Sequence, residues 1–523
     1  MKTFFITTAI DYTNAPPHIG HAYEKILADV LARYQRLCGR EVFFLTGVDQ
    51  HGQKVQQSAE REGIPPQEFA DRVSGSFLSL WATLGISYDA WAATTDPLHK
   101  SEVQRILTDL KERDWLYKAT YSGHYSVRQE QFLTDKERGP DGEFGPEWGE
   151  VVLLNEENWY FRLSKCSEWL LGFLDSHTCF VTPDFRQTEL RNAAGKITGD
   201  LCISRPKSRL AWGIELPFDP GFVTYVWFDA LINYISFAGH GGEEQAAFER
   251  RWPCDHHVIG KDILIPAHGV YWPCMLHAMG FSDEQMPHLL VHGFWSLRGE
   301  KVSKSTGNVV DPAALVASYG TTALRYYLMR DAVMGRDADF SEERLLLRHN
   351  TELGNSLGNL VNRTLSMTRR YREGSPKRVS LTEDLLSHCA VDVESVKTFI
   401  GQMEAAQIHA GIETMIDLVN RANALVDTSA PWKLAKDPEQ AERLDAVLST
   451  LILSARAAAT LLLPIAPEAA AEILRQIGLE ALPLTGKITI GVLPEAYCCG
   501  EPTPVFPRLE LQGAVEGDAG TPA

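Results

Sequence analysis

The alternation of β-rich runs with helical periodicity over the first hundred residues constrains the fold most. Residues 3–8 are β-branched and aromatic, and Asn14-Ala15-Pro16-Pro17 then forces a turn. From Ile19 to Leu37 the apolar positions Leu27, Val30, Leu31, Tyr34 and Leu37 fall on one face of a helix. A second apolar run, 42–46, follows Gly39 and leads into another helix near Gln53. Strands in this order bury both faces only in a parallel sheet with right-handed crossovers, so the expected fold class is α/β with a doubly wound sheet.

The pattern changes at about residue 118. From there to 205 the segments are short and mixed, with Gly139-Pro140-Asp141-Gly142 and Gly145-Pro146 as turn signals, which predicts a subdomain inserted into the sheet domain. Alternation then resumes, with strands expected at 257–259 and 288–294 and a helix at 270–279. Beyond residue 341 periodic apolar positions such as Leu353, Leu357, Leu360 and Leu365 predict an α-helical bundle. The expected division is 1–117 and 206–290 for the two halves of the sheet domain, 118–205 for the insertion, 291–342 for a connecting region, 343–508 for the bundle and 509–523 for a disordered tail. No repeat of solenoid period interrupts this order.

A formal net charge of −18 excludes a protein coated in basic surface, so a nucleic-acid partner would need a local basic strip. Nine cysteines without a Cys-x-x-Cys pair read as reduced, cytoplasmic usage. The amino terminus lacks a signal-type apolar stretch, and the apolar run 457–466 is broken by Thr460 and Pro464, so neither export nor membrane insertion is expected. With no further domain in the short tail, a monomer is expected.

Two constellations carry chemistry. His18-Ile19-Gly20-His21 opens the first helix, where unpaired N–H groups and the positive end of the dipole can hold nucleotide phosphates beside two imidazoles. Gly20 leaves room for a base or ribose. The plain alternative is that His18 caps the helix and His21 is a solvated first-turn residue. Lys301-Val302-Ser303-Lys304-Ser305 lies between Gly299 and Gly307, a cationic loop suited to clamp a triphosphate, or simply a solvated basic loop.

Together these segments resemble the signature pair of the class I aminoacyl-tRNA synthetases, the second with Val302 where that family usually carries Met. Further segments resemble the methionine branch: Ile10-Asp11-Tyr12-Thr13-Asn14, Thr46-Gly47-Val48-Asp49-Gln50-His51-Gly52, the run from Tyr225 to Tyr234, Ile259-Gly260-Lys261-Asp262, and Gly307-Asn308-Val309-Val310-Asp311-Pro312. The resemblance implies a Rossmann-like catalytic domain, activation of L-methionine with ATP and Mg2+, and transfer to the 3′ end of tRNA(Met), supporting initiation and elongation. It implies that His18, His21, Lys301 and Lys304 are catalytic, and that Gly20, Glu24, Gly260, Asp262 and Ser303 join them in binding ATP. Ile10, Tyr12, Asp49, Trp227, Ala230, Leu231, Tyr234, His268 and Trp272 would form the methionine site, with Asp49 on the α-ammonium. Aromatic rings suit a polarizable thioether. Core packing is the alternative for the aromatics, and a helix N-cap for Asp49. Pro266-Ala267-His268 carries one residue more than the pattern leads one to expect.

The resemblance also implies that Asn359, Arg363 and Trp432 read the anticodon by hydrogen bonds and stacking. Arg369, Arg370, Arg372, Lys377 and Arg378 supply the local basic strip, or else a solvated helix face. Many relatives carry a zinc knob in the insertion, but Ser126 and Gln129 stand where one cysteine pair would be, so no structural zinc and no protein-bound metal is expected. Two rivals remain: a class I synthetase for another aliphatic amino acid, which should show an editing insertion or a zinc-binding cysteine, and a catalytically silent tRNA-binding relative, which should have lost His18, His21 or Lys304.

Overall fold

A computed structural model describes residues 2–126, 131–133, 138–139, 141–196, 199–297, 300–301 and 310–511. Seven strands form the main sheet: β1 (Phe4–Thr8), β2 (Asp11–Tyr12), β3 (Val42–Asp49), β4 (Ala90–Ala93), β5 (Val181–Thr182), β6 (His256–Gly260) and β7 (Leu289–His292). All pairings in it are parallel. The order runs β3, β1, β6, β7, β5, with β4 on the outer edge of β3 and β2 against its C-terminal end. From β1 the chain passes first to β3 on one side and much later to β6 on the other. The crevice beyond the carboxyl ends of β1 and β6 is thus a topological switch point, where such sheets bind ligands.

The sheet is covered on both faces. Phe4, Ile6, Phe44, Val258 and Leu290 pack on one side, and Phe5, Phe43, Leu45, Ile259 and Leu289 on the other, following the two-residue period of a strand. Helix α1 (Ile19–Leu37) lies on the first face. Helices α2 (Pro97–Glu112) and α3 (Val226–Ser236) lie on the second.

After α2 the chain leaves the sheet into a long antiparallel hairpin, with Leu116 opposite Phe161 and Ser126 opposite Val151. Within the stretch read from sequence as an insertion, Val181–Thr182 returns to pair with β7. Two residues are too short to show a strand period, which is why no sequence signal marked them.

The C-terminal region is helical, including α4 (Asn359–Arg372), α5 (Glu383–Glu404), α6 (Ile408–Ser429), α7 (Pro431–Leu434) and α8 (Ala441–Leu462). Its apolar side chains, such as Leu357, Val419 and Leu451, are continuous with the α1 face of the sheet. The segment Pro438–Leu462, which includes α8, is long and apolar enough to cross a membrane, but 94% of that apolar window is buried within the bundle, so it reads as the bundle's core helix. The expected tail, 509–523, lies from residue 512 onward outside the described residues.

Candidate active site

The crevice at the switch point is a cavity of about 390 Å3, within the rough 300–1,000 Å3 range of small-molecule sites. Its first wall is the start of α1. His18 is the N-cap, and its Nδ1 accepts from the Gly20 amide at 3.0 Å. The Nδ1 of His21 accepts from the His18 amide at 3.0 Å, closing a reciprocal capping box. Because both Nδ1 atoms accept, a neutral ring at either position carries its proton on Nε2. The rings lie 3.9 Å apart between centroids and both line the cavity. Capping and facing a ligand are therefore compatible here. A Cβ on residue 20 would sit 2.9 Å from Cε1 of His18, so the glycine makes room for that ring to fold back over the helix start.

The second wall holds the ends of β2 and β3. Their register sets Tyr12 directly opposite Asp49, and both line the cavity with Ile10. Asp49 is buried, and its Oδ1 accepts from the His51 amide (3.2 Å) and the Thr94 hydroxyl (3.3 Å). The following helix is capped by Gly52, so Asp49 is not its N-cap.

Across from Asp49, α3 turns Trp227, Ala230, Leu231 and Tyr234 into the cavity, the i, i+3, i+4, i+7 set of one helical face. Trp227 meets Tyr12 edge-on at 6.4 Å and His268 edge-on at 6.3 Å. His268 Nδ1 lies 2.9 Å from the Ile263 carbonyl, which can only accept, so this nitrogen carries the proton. Its Nε2 then accepts from the Tyr234 hydroxyl at 2.8 Å. Burial pushes the imidazole down to about 4, which keeps it neutral. The stretch with one residue more than expected, Leu264–Tyr271, is kinked at Ile265, whose backbone is extended (φ −116°, ψ 122°), and the His268 amide donates to the Ile263 carbonyl five residues back, as in a π-turn. Trp272 stands one layer behind, fully buried, 5.9 Å from the Tyr234 ring, and does not line the cavity.

Glu24, Gly260 and Asp262 line the remaining wall. A Cβ at residue 260 would lie 2.8 Å from Oδ1 of Asp262, so the glycine lets that carboxylate fold against the strand end. Sequence reasoning gave no role to His292, whose Nε2 lies 3.0 Å from Oε2 of Glu24, or to Lys25, which is fully buried. The Lys25 ammonium donates to Asp11 and Glu24, each at 2.8 Å, and to the Ala9 carbonyl at 3.0 Å. Burial alone would raise the Glu24 carboxyl, but Lys25 and His292 outweigh it and hold it below its usual value. A histidine at the carboxyl end of a sheet strand was the available signal for His292, since that is where Asp49 also sits. Lys301 is a strand residue opposite Ser296, while Ser303 and Lys304 lie outside the described residues.

The family model for class I tRNA synthetases of the methionine type matches residues 4–141 and 149–365. The methionine–tRNA ligase of Streptococcus pneumoniae serotype 4 is 40% identical over 528 residues, covering 98% of this chain and 78% of that protein. The Bacillus subtilis methionine–tRNA ligase is 38% identical, covering 99% and 81%. Mycobacterium tuberculosis methionyl-tRNA synthetase, solved in complex with methionyl-adenylate, superposes with a TM-score of 0.90 at 36% identity, covering 97% of this chain and 100% of that one. The chain belongs to the methionine–tRNA ligase family of class I synthetases.

Asn359 opens α4 and is exposed. Arg363, one turn on, donates to Asp427 near the end of α6 at 2.7 Å. Trp432, in the short α7 that follows α6, is 38% exposed, so it is not a core contact. The basic strip is largely matched by acid: Arg372 donates to Asp445 (2.5 Å), Arg369 to Glu501 (3.0 Å), and Arg378 lies 3.9 Å from Glu495. In the insertion, the Ser126 hydroxyl donates to the Trp148 carbonyl at 2.5 Å, and Gln129 lies outside the described residues. Among the described residues no group of three or more His, Cys, Asp or Glu could hold a metal ion.

Proposed function

We infer that this ligase activates L-methionine with ATP and esterifies it to the 3′ end of tRNA(Met), supplying both initiation and elongation. One observation carries the reading of the site. The strand register, α3 and the stretch Leu264–Tyr271 gather Tyr12, Asp49, Trp227, Tyr234 and His268 around a single cavity that His18, His21, Gly260 and Asp262 also line.

In this reading Asp49 takes the α-ammonium, and the thioether lies among Trp227, Ala230, Leu231, Tyr234 and His268, with Ile10 and Tyr12 beside it. Trp272 supports Tyr234 from behind. Glu24, Gly260 and Asp262 hold the adenosine. A methionine carboxylate oxygen bonds to the α-phosphorus as the bond to the β-phosphate's bridging oxygen breaks, and pyrophosphate leaves with that electron pair. The imidazoles of His18 and His21, with Lys301, Ser303 and Lys304, offset the charge that develops, so catalysis is positioning and electrostatics. Magnesium would arrive with the nucleotide, because it keeps several waters and binds chiefly through substrate phosphates. A terminal ribose hydroxyl then displaces AMP from the adenylate. Region 343–508 reads the anticodon through Asn359, Arg363 and Trp432, and 291–342 carries the cationic loop. We further propose a cytoplasmic monomer; the nine free cysteines support a reducing compartment.

The test is exchange of labelled pyrophosphate into ATP, run with methionine, leucine, valine and cysteine, and with Lys304→Ala as control. Exchange with methionine alone, lost in the variant, is the expected result. No exchange with any amino acid despite tRNA binding would leave only an RNA-binding role.

A further inference from the structure

Besides the largely apolar side that lines the cavity, helix α3 has a polar face that does not reach it. Asp229 is 1% exposed there, among the positions that line the methionine site, and it does not itself reach the cavity. Its Oδ2 lies 2.7 Å from Nδ1 of His51, and its Oδ1 lies 2.8 Å from Nε2 of His99 on α2. The Nδ1 of His99 lies 2.8 Å from the Ser236 hydroxyl, two turns along α3 from Asp229. An ionised carboxylate only accepts, so His51 Nδ1–H and His99 Nε2–H both donate to Asp229, and His99 Nδ1 accepts from Ser236. The Ser236 hydroxyl also lies 3.4 Å from the Asn233 carbonyl, but His99 Nδ1 is the nearer acceptor. At its other end, the His51 amide donates to Oδ1 of Asp49.

We propose that Asp229 is a positioning residue that fixes the spacing between the two ends of the methionine site, and hence the length of side chain the enzyme accepts. The inference rests on the reading above, in which Asp49 takes the ammonium and the opposite face of α3 takes the thioether. Those two halves come from different elements, the end of β3 and α3. Apolar packing would hold α3 against α2, but it is non-directional and would leave sliding along the helix axis poorly specified. A carboxylate gripped by one imidazole from the β3 loop and one from α2, with that second imidazole gripped again by Ser236, fixes both translation and rotation of α3. A displacement of about 1 Å at a site of this kind can change turnover by roughly a hundredfold. No residue of the chain Asp229–His99–Ser236 touches substrate, so its effect passes wholly through where Trp227, Leu231 and Tyr234 stand relative to Asp49.

The experiment measures pyrophosphate exchange by the full chain and by Asp229→Asn, with methionine and with ethionine, which keeps the sulfur and is one methylene longer. Asp229→Asn should raise the methionine KM about tenfold, leave the ATP KM within about twofold, and lower the preference for methionine over ethionine by about fivefold or more. Unchanged KM and preference overturn the proposal, and so does a uniform loss of rate with preference intact, since that is all a merely stabilising network would produce. If Asp229→Asn does not fold, His99→Gln decides on the same criteria, with the expected KM rise about threefold. Trp227→Ala separates the two layers of the argument. Absent exchange in the parent enzyme, or an unaffected methionine KM in Trp227→Ala, refutes the site reading itself. Normal exchange with a sensitive Trp227 and an insensitive Asp229 refutes only the positioning role.

Discussion

His21 does two things with one ring: its Nδ1 closes the capping box on the His18 amide, and its Nε2, which carries the proton of the neutral ring, lies 3.9 Å from Oδ1 of Asp11, another residue of the cavity wall. Replacing it by Asn keeps a capping acceptor and shortens the donor. His21→Asn should therefore lower the exchange kcat by roughly 100-fold or more, as loss of one transition-state donor does, while the melting temperature changes little. Tyr234 and His268 illustrate a different use of polar atoms. Their mutual hydrogen bond consumes the hydroxyl proton, and the Ile263 carbonyl consumes the imidazole proton, which suits a site for an uncharged thioether. The pH consequence has a definite sign. A histidine held at about 4 when folded takes up its proton only well below the unfolded value of about 6.5, so the unfolded chain binds more protons in that window. Stability from this group is full above pH ~6.5 and is lost progressively as pH falls toward 4. The methionine KM should stay flat from pH 8 to about 5.5 and rise only as His268 protonates, measured by exchange at saturating ATP. A KM that climbs already near pH 6.5 would contradict the neutral, buried ring.

Among elements, α1 was the most legible in the sequence. Its bounds, Ile19–Leu37, follow from a Pro-Pro turn, a capping histidine and a continuous apolar face. The strands at 256–260 and 289–292 were legible to within a residue or two because buried parallel strands are short apolar runs. Strand β5 was not, because its two residues join the sheet by tertiary pairing alone. Many residues named from motifs line one cavity, but what supports them was not legible. Nothing in the spacing of His51, His99, Asp229 and Ser236 reveals that three separate stretches meet, since that depends on how α2 and α3 pack on the second face of the sheet. Lys25 was unreadable for the same reason: a helical lysine reads as solvated until the neighbouring acids Asp11 and Glu24 are seen to enclose it. Removing it should be severe. Lys25→Met would leave two buried carboxylates without their cation, a loss of about 3–5 kcal/mol, readable as a lower urea midpoint.

At the scale of the molecule, α1 joins the chemistry to the RNA-reading region. Its first turn lines the cavity, and the far half of its 19 residues, roughly 28 Å in all, is tied to the helical bundle. Tyr34 donates to Glu404 of α5 at 2.8 Å, and Asp29 accepts from the fully buried Arg325 at 2.7 Å. The same guanidinium donates to the carbonyls of Pro464 and Ile465 at the end of the core helix. The bundle thus holds the helix that carries His18 and His21, and damage to the exposed surface around Trp432 should be separable from damage to this buried tie. Trp432→Ala and Arg363→Ala should leave methionine-dependent pyrophosphate exchange within about twofold of the parent, because neither residue is near the cavity, while weakening tRNA use by roughly 1–3 kcal/mol for a lost stacking contact. The most direct test of the whole account is charging itself: labelled methionine, ATP and a tRNA bearing the CAU anticodon, beside the same tRNA with one anticodon base replaced. Methionyl-tRNA formed on the CAU tRNA, and strongly reduced on the altered one, is the predicted result. Adenylate formation without transfer to either tRNA would contradict it.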